Sequence, residues 1–317
     1  MNVAELISSQ SKTAFSIEVL PPLKGKGIGK LFSDIEALRE FSPLYINITT
    51  HQSERVFKET KDGLFLKQEI RRRPGTVAIA AAIAARYGIK VVPHVICSGH
   101  SMEDTEYELL DLQYLGITDL LVLRGDKAKE DSVFRPAAGG HSHALDLLDQ
   151  VQRFNEGIFL DGSRVEKPES PFSCGVACYP EKHEEAANME SDIRVLKLKQ
   201  DAGAQYAVTQ LFFDNDKYFR FVEKARQAGV TIPIIPGIKP FYKLSQLSVL
   251  PRTFRVDFPD AFYKEATLLK TDDEARSFGI EWCTAQCKEL IQGGVKNIHF
   301  YTIGAVESIK AVAKAIY

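Results

Sequence analysis

The chain has little sulfur and no surplus of charge: its 317 residues hold 5 cysteines, 3 methionines and 1 tryptophan, and 40 Lys and Arg stand against 42 Asp and Glu. An odd cysteine count without dense spacing excludes a disulfide framework, and free thiols suit a reducing compartment. The formal charge of −2 leaves no basic excess to neutralise a phosphate backbone, which excludes nucleic acid as the main partner. The opening stretch MNVAELISSQSK has no apolar core of the signal-peptide kind, and no later run is apolar for long enough to span a bilayer. These absences predict a soluble, cytoplasmic protein whose partners are small molecules, with neither membrane nor nucleic acid among them.

Familiar chemical motifs are missing too. The stretch GKGIGK (25–30) is rich in glycine but has neither the spacing and Lys-Ser/Thr ending of a P-loop nor the GxGxxG pattern, so it reads as a surface loop. No GxSxG elbow offers a serine nucleophile. Cys174 with Cys178, and Cys283 with Cys287, are spaced by four and form no CxxC pair, while His94, His183 and His299 lie in separate segments. That scatter predicts no metal site.

What the sequence does have is rhythm. Eight apolar, β-branched-rich runs recur at 15–21, 45–51, 90–98, 119–126, 173–181, 206–214, 232–238 and 297–304. Amphipathic segments such as 75–88, 103–116 and 184–204 lie between them, and several end in glycine as a helix C-cap does. Alternating strand and helix implies a parallel sheet, and eight units predict an α/β protein with a (β/α)8 TIM barrel, one domain over 1–317. A doubly wound open sheet is the structural rival, disfavoured because the first strand leads into PPLKGKGIGK instead of a tight glycine turn. The stretch 160–172, rich in Asp, Ser, Pro and Gly, reads as a solvated loop.

In such a barrel the active site lies at the C-terminal ends of the strands. Those ends carry Glu18; Thr49, Thr50 and His51; His94 and Cys97; Arg124 and Asp126; Tyr179, Glu181 and His183; Gln210 and Asp214; and His299, Tyr301 and Thr302. Glu18 is the most telling, since FSIEVLPP is otherwise an apolar strand. Burial favours the neutral form of a carboxyl, which makes Glu18 a candidate general acid near neutral pH. Asp126, beside Arg124, is expected to stay ionised and act as an electrostatic group. The competing structural roles are an ion pair for Glu18 and helix capping for Asp126.

FSIEVLPP, PHVIC, LVLRGD, ACYPEKHEEA, KQDAGAQYAVTQLFFD, IPIIPGI and HFYT follow one another from about residue 14 to 304. In these stretches and their order the chain resembles the methylenetetrahydrofolate reductase family in its bacterial, single-domain, FAD-dependent form, without a regulatory domain. The resemblance implies a ping-pong oxidoreductase in which NADH or NADPH reduces FAD and the flavin then reduces methylenetetrahydrofolate to methyltetrahydrofolate, a methyl source for methionine synthesis. It implies that Glu18 protonates the folate nitrogen that departs as the ring opens, and that Asp126 stabilises the cationic iminium and tunes the flavin. Substrate contacts carry over to Gln210, which meets the folate, and to Leu244 and Ile303, which pack nicotinamide or folate. FAD contacts carry over to Thr49, His94, Leu123, Arg124, Gly125, Asp126, Ala177, Tyr179, His183, Asp192 and Lys199. A homo-oligomer is implied as well.

The chain departs from the family pattern in three places. HFYTIGA stands where HFYTLN is common, Thr-Thr-His (49–51) replaces a Thr-aromatic pair, and Val195 and Leu198 occupy positions that are often polar on the helix carrying Asp192 and Lys199. Three other readings remain open at this point. One is a flavin-free pterin barrel of the methyltransferase kind, a second a non-catalytic barrel kept for binding or assembly, disfavoured because Glu18, Asp126 and Gln210 are all present, and the third a proline-dehydrogenase-like flavoprotein, which shares the cofactor but not the YPE-x-H and TQ-x-FFD segments.

Overall fold

A computed structural model describes residues 1–317. Its strands are β1 (Ala14–Val19), β2 (Ile46–Ile48), β3 (Glu54–Glu59), β4 (Phe65–Ile70), β5 (Val91–Ile96), β6 (Asp119–Leu123), β7 (Ser173–Cys178), β8 (Ala204–Thr209), β9 (Ile234–Ile235), β10 (Gly237–Ile238) and β11 (Asn297–Tyr301). Nine of them form one parallel sheet in the order β10-β11-β1-β2-β5-β6-β7-β8-β9. β9 and β10 are halves of one extended run, divided at Pro236, which has no N–H to give to a ladder. Its carbonyl still accepts from His299 N at 3.0 Å. The nine segments therefore make eight staves, and the ring closes as the (β/α)8 barrel that the strand–helix rhythm predicts.

The staves are shorter than the apolar runs that announce them. The runs 45–51, 90–98, 119–126, 173–181 and 297–304 shrink to β2, β5, β6, β7 and β11; 15–21 and 206–214 become β1 and β8, which start one and two residues earlier; and 232–238 becomes the divided β9 and β10. Hydrophobicity persists past the last ladder bond because the rim is itself packed: Leu211, Phe212 and Phe213 lie beyond β8 yet are buried. Composition marks burial, and burial continues where pairing stops.

One element has no counterpart in the predicted rhythm. β3 and β4 form an exposed antiparallel hairpin, paired from Glu54↔Ile70 to Glu59↔Phe65. Its turn is closed by Thr60 N to Leu64 O at 2.7 Å. The Asp62-Gly63 dipeptide between alternating residues is the signal for it.

Outward-facing residues such as Phe15, Ile17, Ile46, Ile48, Ile298 and Phe300 pack under the surrounding helices in the main core. Inside the barrel, Tyr45, Val92, Leu121, Tyr206, Val208 and Ile235 fill the lower half together with Val3 and Ile7. Those two belong to the helix Val3–Ser8, which Asn2 caps. Asp119 anchors this plug by accepting from Val3 N at 2.7 Å and from Lys90 Nζ at 2.7 Å. Gly175 makes room for the large interior ring, since a Cβ there would lie 2.2 Å from Tyr206. A further aromatic cluster around Phe241, Phe262 and Phe278 packs the helices Asp260–Ala266 and Asp272–Gln292. No helix is long and apolar enough to cross a membrane.

Candidate active site

Alternation along each stave decides which side chains enter the barrel. On β1 the outward set is Phe15, Ile17 and Val19, so Ser16 and Glu18 point inward. By the same parity Asn297, His299 and Tyr301 enter from β11, Asn47 from β2 and His94 from β5. Leu121, Gly175, Ala177, Tyr206, Val208 and Ile235 face them from the other staves. The polar groups concentrate on one side of the interior, a bias that no single run of sequence displays.

Glu18 sits at the top of the polar side, paired in register with Tyr301 to one flank and Asn47 to the other. Burial pushes its carboxyl from 4.5 up to about 8, against a downward pull from Lys239. His94 Nε2 lies 3.5 Å from Glu18 Oε2. Burial, aided by His51, pushes His94 from 6.5 down to about 3. Both groups are thus neutral near pH 7, and the contact is a carboxylic acid beside an imidazole; it is no ion pair. Beneath them Ser16 Oγ lies 2.9 Å from His299 Nδ1, and the His299 ring stacks on Tyr45 at 5.7 Å.

Asp126 is exposed, in the irregular segment after β6. It caps no helix, because the next one, Ala144–Asn155, starts from His143. Its carbonyl accepts from Ser98 Oγ at 2.7 Å and from Gln52 Nε2 at 2.9 Å. These bonds fix the backbone and leave the carboxylate at the rim.

A second group gathers at the ends of β6 and β7. Arg124 pairs with Glu184 at 2.9 Å and with Glu185, and its guanidinium lies over Phe134 at 4.8 Å. Gly125 has φ +81°, and a Cβ there would meet Ser98 Oγ at 2.5 Å, so the turn requires glycine. Tyr179 and His183 meet ring to ring at 4.7 Å. Asp192 accepts from His183 N at 2.9 Å, which ties the helix Met189–Asp201 to the loop after β7. Lys199, on the same helix, is buried and donates to Ala177 O at 3.0 Å. Burial lowers its pKa, with Asp192 among the groups opposing that shift. Thr49 follows the end of β2, and Leu123 ends β6.

The three positions carried over for folate are less gathered. Gln210 follows β8, its Oε1 accepting from Leu211 N at 2.9 Å. Ile303 is 42% exposed on the loop after β11. Leu244 packs against the aromatic cluster, its N–H given to Asp272 Oδ1 at 3.1 Å. Val195 and Leu198 are both exposed, as solvent-facing positions of their helix. The important residue the sequence reading passes over is Lys239, one position beyond the expected strand 232–238; its inward parity with Gly237 is the signal.

These residues suit a dinucleotide cofactor. Thr49 Oγ1, His94 Nε2 and Arg124 Nε are among the buried polar atoms that make no hydrogen bond within the protein, His94 having only the Glu18 carboxyl nearby at 3.5 Å, and buried polar groups call for a partner. All three lie at positions carried over for FAD. Arg124, paired here with Glu184 and Glu185, and Lys199 are cations of the kind a diphosphate binds, and Asp192 is a carboxylate of the kind that accepts from ribose hydroxyls.

A family model described as methylenetetrahydrofolate reductase matches residues 3–317. The chain is 28% identical over 318 residues to the 5,10-methylenetetrahydrofolate reductase of Pectobacterium carotovorum, covering 99% of this chain and 93% of that protein. It is 29% identical over 312 residues to methylenetetrahydrofolate reductase (NADH) 1 of Arabidopsis thaliana, covering 95% of this chain and 48% of that one. The chain thus spans about half the length of the eukaryotic relatives it matches. Among solved structures, a Clostridium thermocellum protein described as binding two copies of 5-methyl-5,6,7,8-tetrahydrofolic acid shares the fold at TM-score 0.57 and 13% identity, covering 98% of this chain and 97% of that one.

Proposed function

Since the chain belongs to the methylenetetrahydrofolate reductase family, we propose that it reduces methylenetetrahydrofolate to methyltetrahydrofolate, with NADH or NADPH as donor and FAD as resident cofactor. The observation that carries the reading is Glu18, a carboxyl held in its acid form by burial at the mouth of the barrel. The folate's bridging ring must open to an electrophilic iminium before hydride can add, and opening requires a proton on the departing nitrogen. An ordinary surface carboxylate is ionised at pH 7 and has no proton to give; Glu18 has one.

Bound FAD would supply the hydride relay between nicotinamide and folate. Arg124 and Lys199 would hold its diphosphate region and Asp192 a ribose, with Thr49, His94, Leu123, Gly125, Ala177, Tyr179 and His183 completing the cradle. Asp126, at the rim, would face the positive charge that develops on the opened folate, and Gln210 would orient the pterin. Leu244 and Ile303 would supply apolar contact. Methyltetrahydrofolate made in this way would serve methionine synthesis in the cytoplasm. A protein of the same fold from Clostridium thermocellum is described as binding 5-methyl-5,6,7,8-tetrahydrofolic acid, which agrees with a folate ligand.

The test is Glu18→Gln. Folate reduction should fall by about 10²–10⁴-fold, the usual worth of a positioned general acid, while oxidation of NADH or NADPH by an artificial acceptor persists. Loss of both activities in a folded variant refutes the assignment.

A further inference from the structure

Resting on that reading, a question follows for the spent acid. Once Glu18 gives its proton to the folate nitrogen, a carboxylate is left where burial opposes charge, and such a group is costly unless a counter-charge stands near. The groups that face Glu18 are few. From β11 comes the Tyr301 phenol, whose burial and the Glu18 charge both push it further from ionising. From β5 comes His94, kept neutral, with His51 behind it. β2 offers only Asn47 and Thr49, which do not titrate. The remaining group is Lys239.

Lys239 follows β10 and shares the inward parity of Gly237. Its Nζ donates to Ile303 O at 2.6 Å and Tyr301 O at 3.3 Å, and it lies 5.5 Å over the Tyr242 ring. Tyr301 is the register partner of Glu18, so the two carbonyls hold the ammonium at the end of the stave next to the acid. Both acceptors are neutral, which leaves the charge of Lys239 uncompensated. Burial lowers its pKa from 10.5 to about 8, and the one charged group that opposes this is Glu18.

We propose that Lys239 is a positioning residue for the acid step, the counter-ion that receives the Glu18 carboxylate when its proton has gone to the folate. The ammonium keeps its own proton throughout. One proton leaves the carboxyl, one folate C–N bond breaks, and Glu18 is recharged from water before the next turnover. By lowering the cost of the carboxylate, Lys239 makes Glu18 a stronger acid than burial alone would allow.

The test separates charge from tether. In ligand-free protein labelled with [13C]glutamate, the Glu18 carboxyl signal, assigned by its loss in Glu18→Gln, is titrated by NMR. In Lys239→Met the midpoint should rise by about one pH unit or more, the usual effect of losing a near opposite charge, and in Lys239→Arg it should stay near the wild-type value. Folate reduction should slow by about tenfold in Lys239→Met, the rate equivalent of that change. Lys239→Gln, which keeps hydrogen-bond donors without charge, should follow Met; it also serves if Met fails to fold. An unmoved midpoint in the neutral variants, or an equal rise in Lys239→Arg, overturns the proposal. Because the titration uses no substrate, it reads Lys239 even if the wild-type protein reduces no folate, an outcome that would instead defeat the functional reading.

Discussion

Glu18→Gln should stabilise the protein at neutral pH even as it removes the acid. The native carboxyl is pushed from 4.5 to about 8 by burial, so the folded state keeps a proton that the unfolded chain releases. A folded-state pKa above the unfolded one gives stability that is fully present below pH 4.5 and lost as pH rises through about 8. At about 1.4 kcal/mol per tenfold, wild type should lose on the order of 3 kcal/mol relative to the Gln variant between pH 4.5 and 7, and on the order of 5 kcal/mol by pH 8 and above. The assay is denaturant unfolding of both ligand-free proteins at pH 5, 6, 7 and 8. The readout is how the difference between them changes with pH, which cancels any fixed cost of the substitution. A difference that stays flat across this range would show that Glu18 ionises like a solvated carboxyl and would refute the argument from burial.

Two other perturbations are read on the same scale. His94 and His299 are pushed by burial from 6.5 to about 3, folded values below the unfolded ones, so the stability they confer is present above pH 6.5 and lost as pH falls toward 3. Each histidine should therefore remove about 1.4 kcal/mol of stability per pH unit below pH 6.5, with Glu18 offsetting about one histidine's share down to pH 4.5, and His299→Gln should shift the slope by that one histidine's share; a slope unchanged in the variant contradicts it. Gly175→Ala drives a Cβ to 2.2 Å from the Tyr206 ring and should cost about 3 kcal/mol in denaturant unfolding, whereas a neutral effect would mean that Tyr206 is free to move.

The barrel is legible in the sequence because its staves are apolar runs and its helices amphipathic, and both periods survive in local composition. Glu18 is legible for the opposite reason, as a carboxylate where that composition should be unbroken. What escapes is whatever depends on pairing across the ring. Pro236 divides a stave without breaking the barrel, since the two halves bond to different neighbours. The interior parity that sets Ser16, Asn47, His94 and His299 on one side emerges only once the register is known. Lys239 follows a predicted strand by one residue, yet its meaning comes from Tyr301 and Glu18, which lie far from it in sequence. The hairpin of β3 and β4 was locally encoded by Asp62-Gly63, but it interrupts the barrel rhythm without contributing a stave.

Whether the barrel works as a flavin-dependent folate reductase is decided by the visible spectrum of the purified protein incubated with FAD under anaerobic conditions, recorded after NADH or NADPH and again after methylenetetrahydrofolate. The nicotinamide should bleach a flavin band, and the folate should restore it with formation of methyltetrahydrofolate. A protein that takes up no FAD, or a bleached flavin that the folate leaves reduced, would contradict that function.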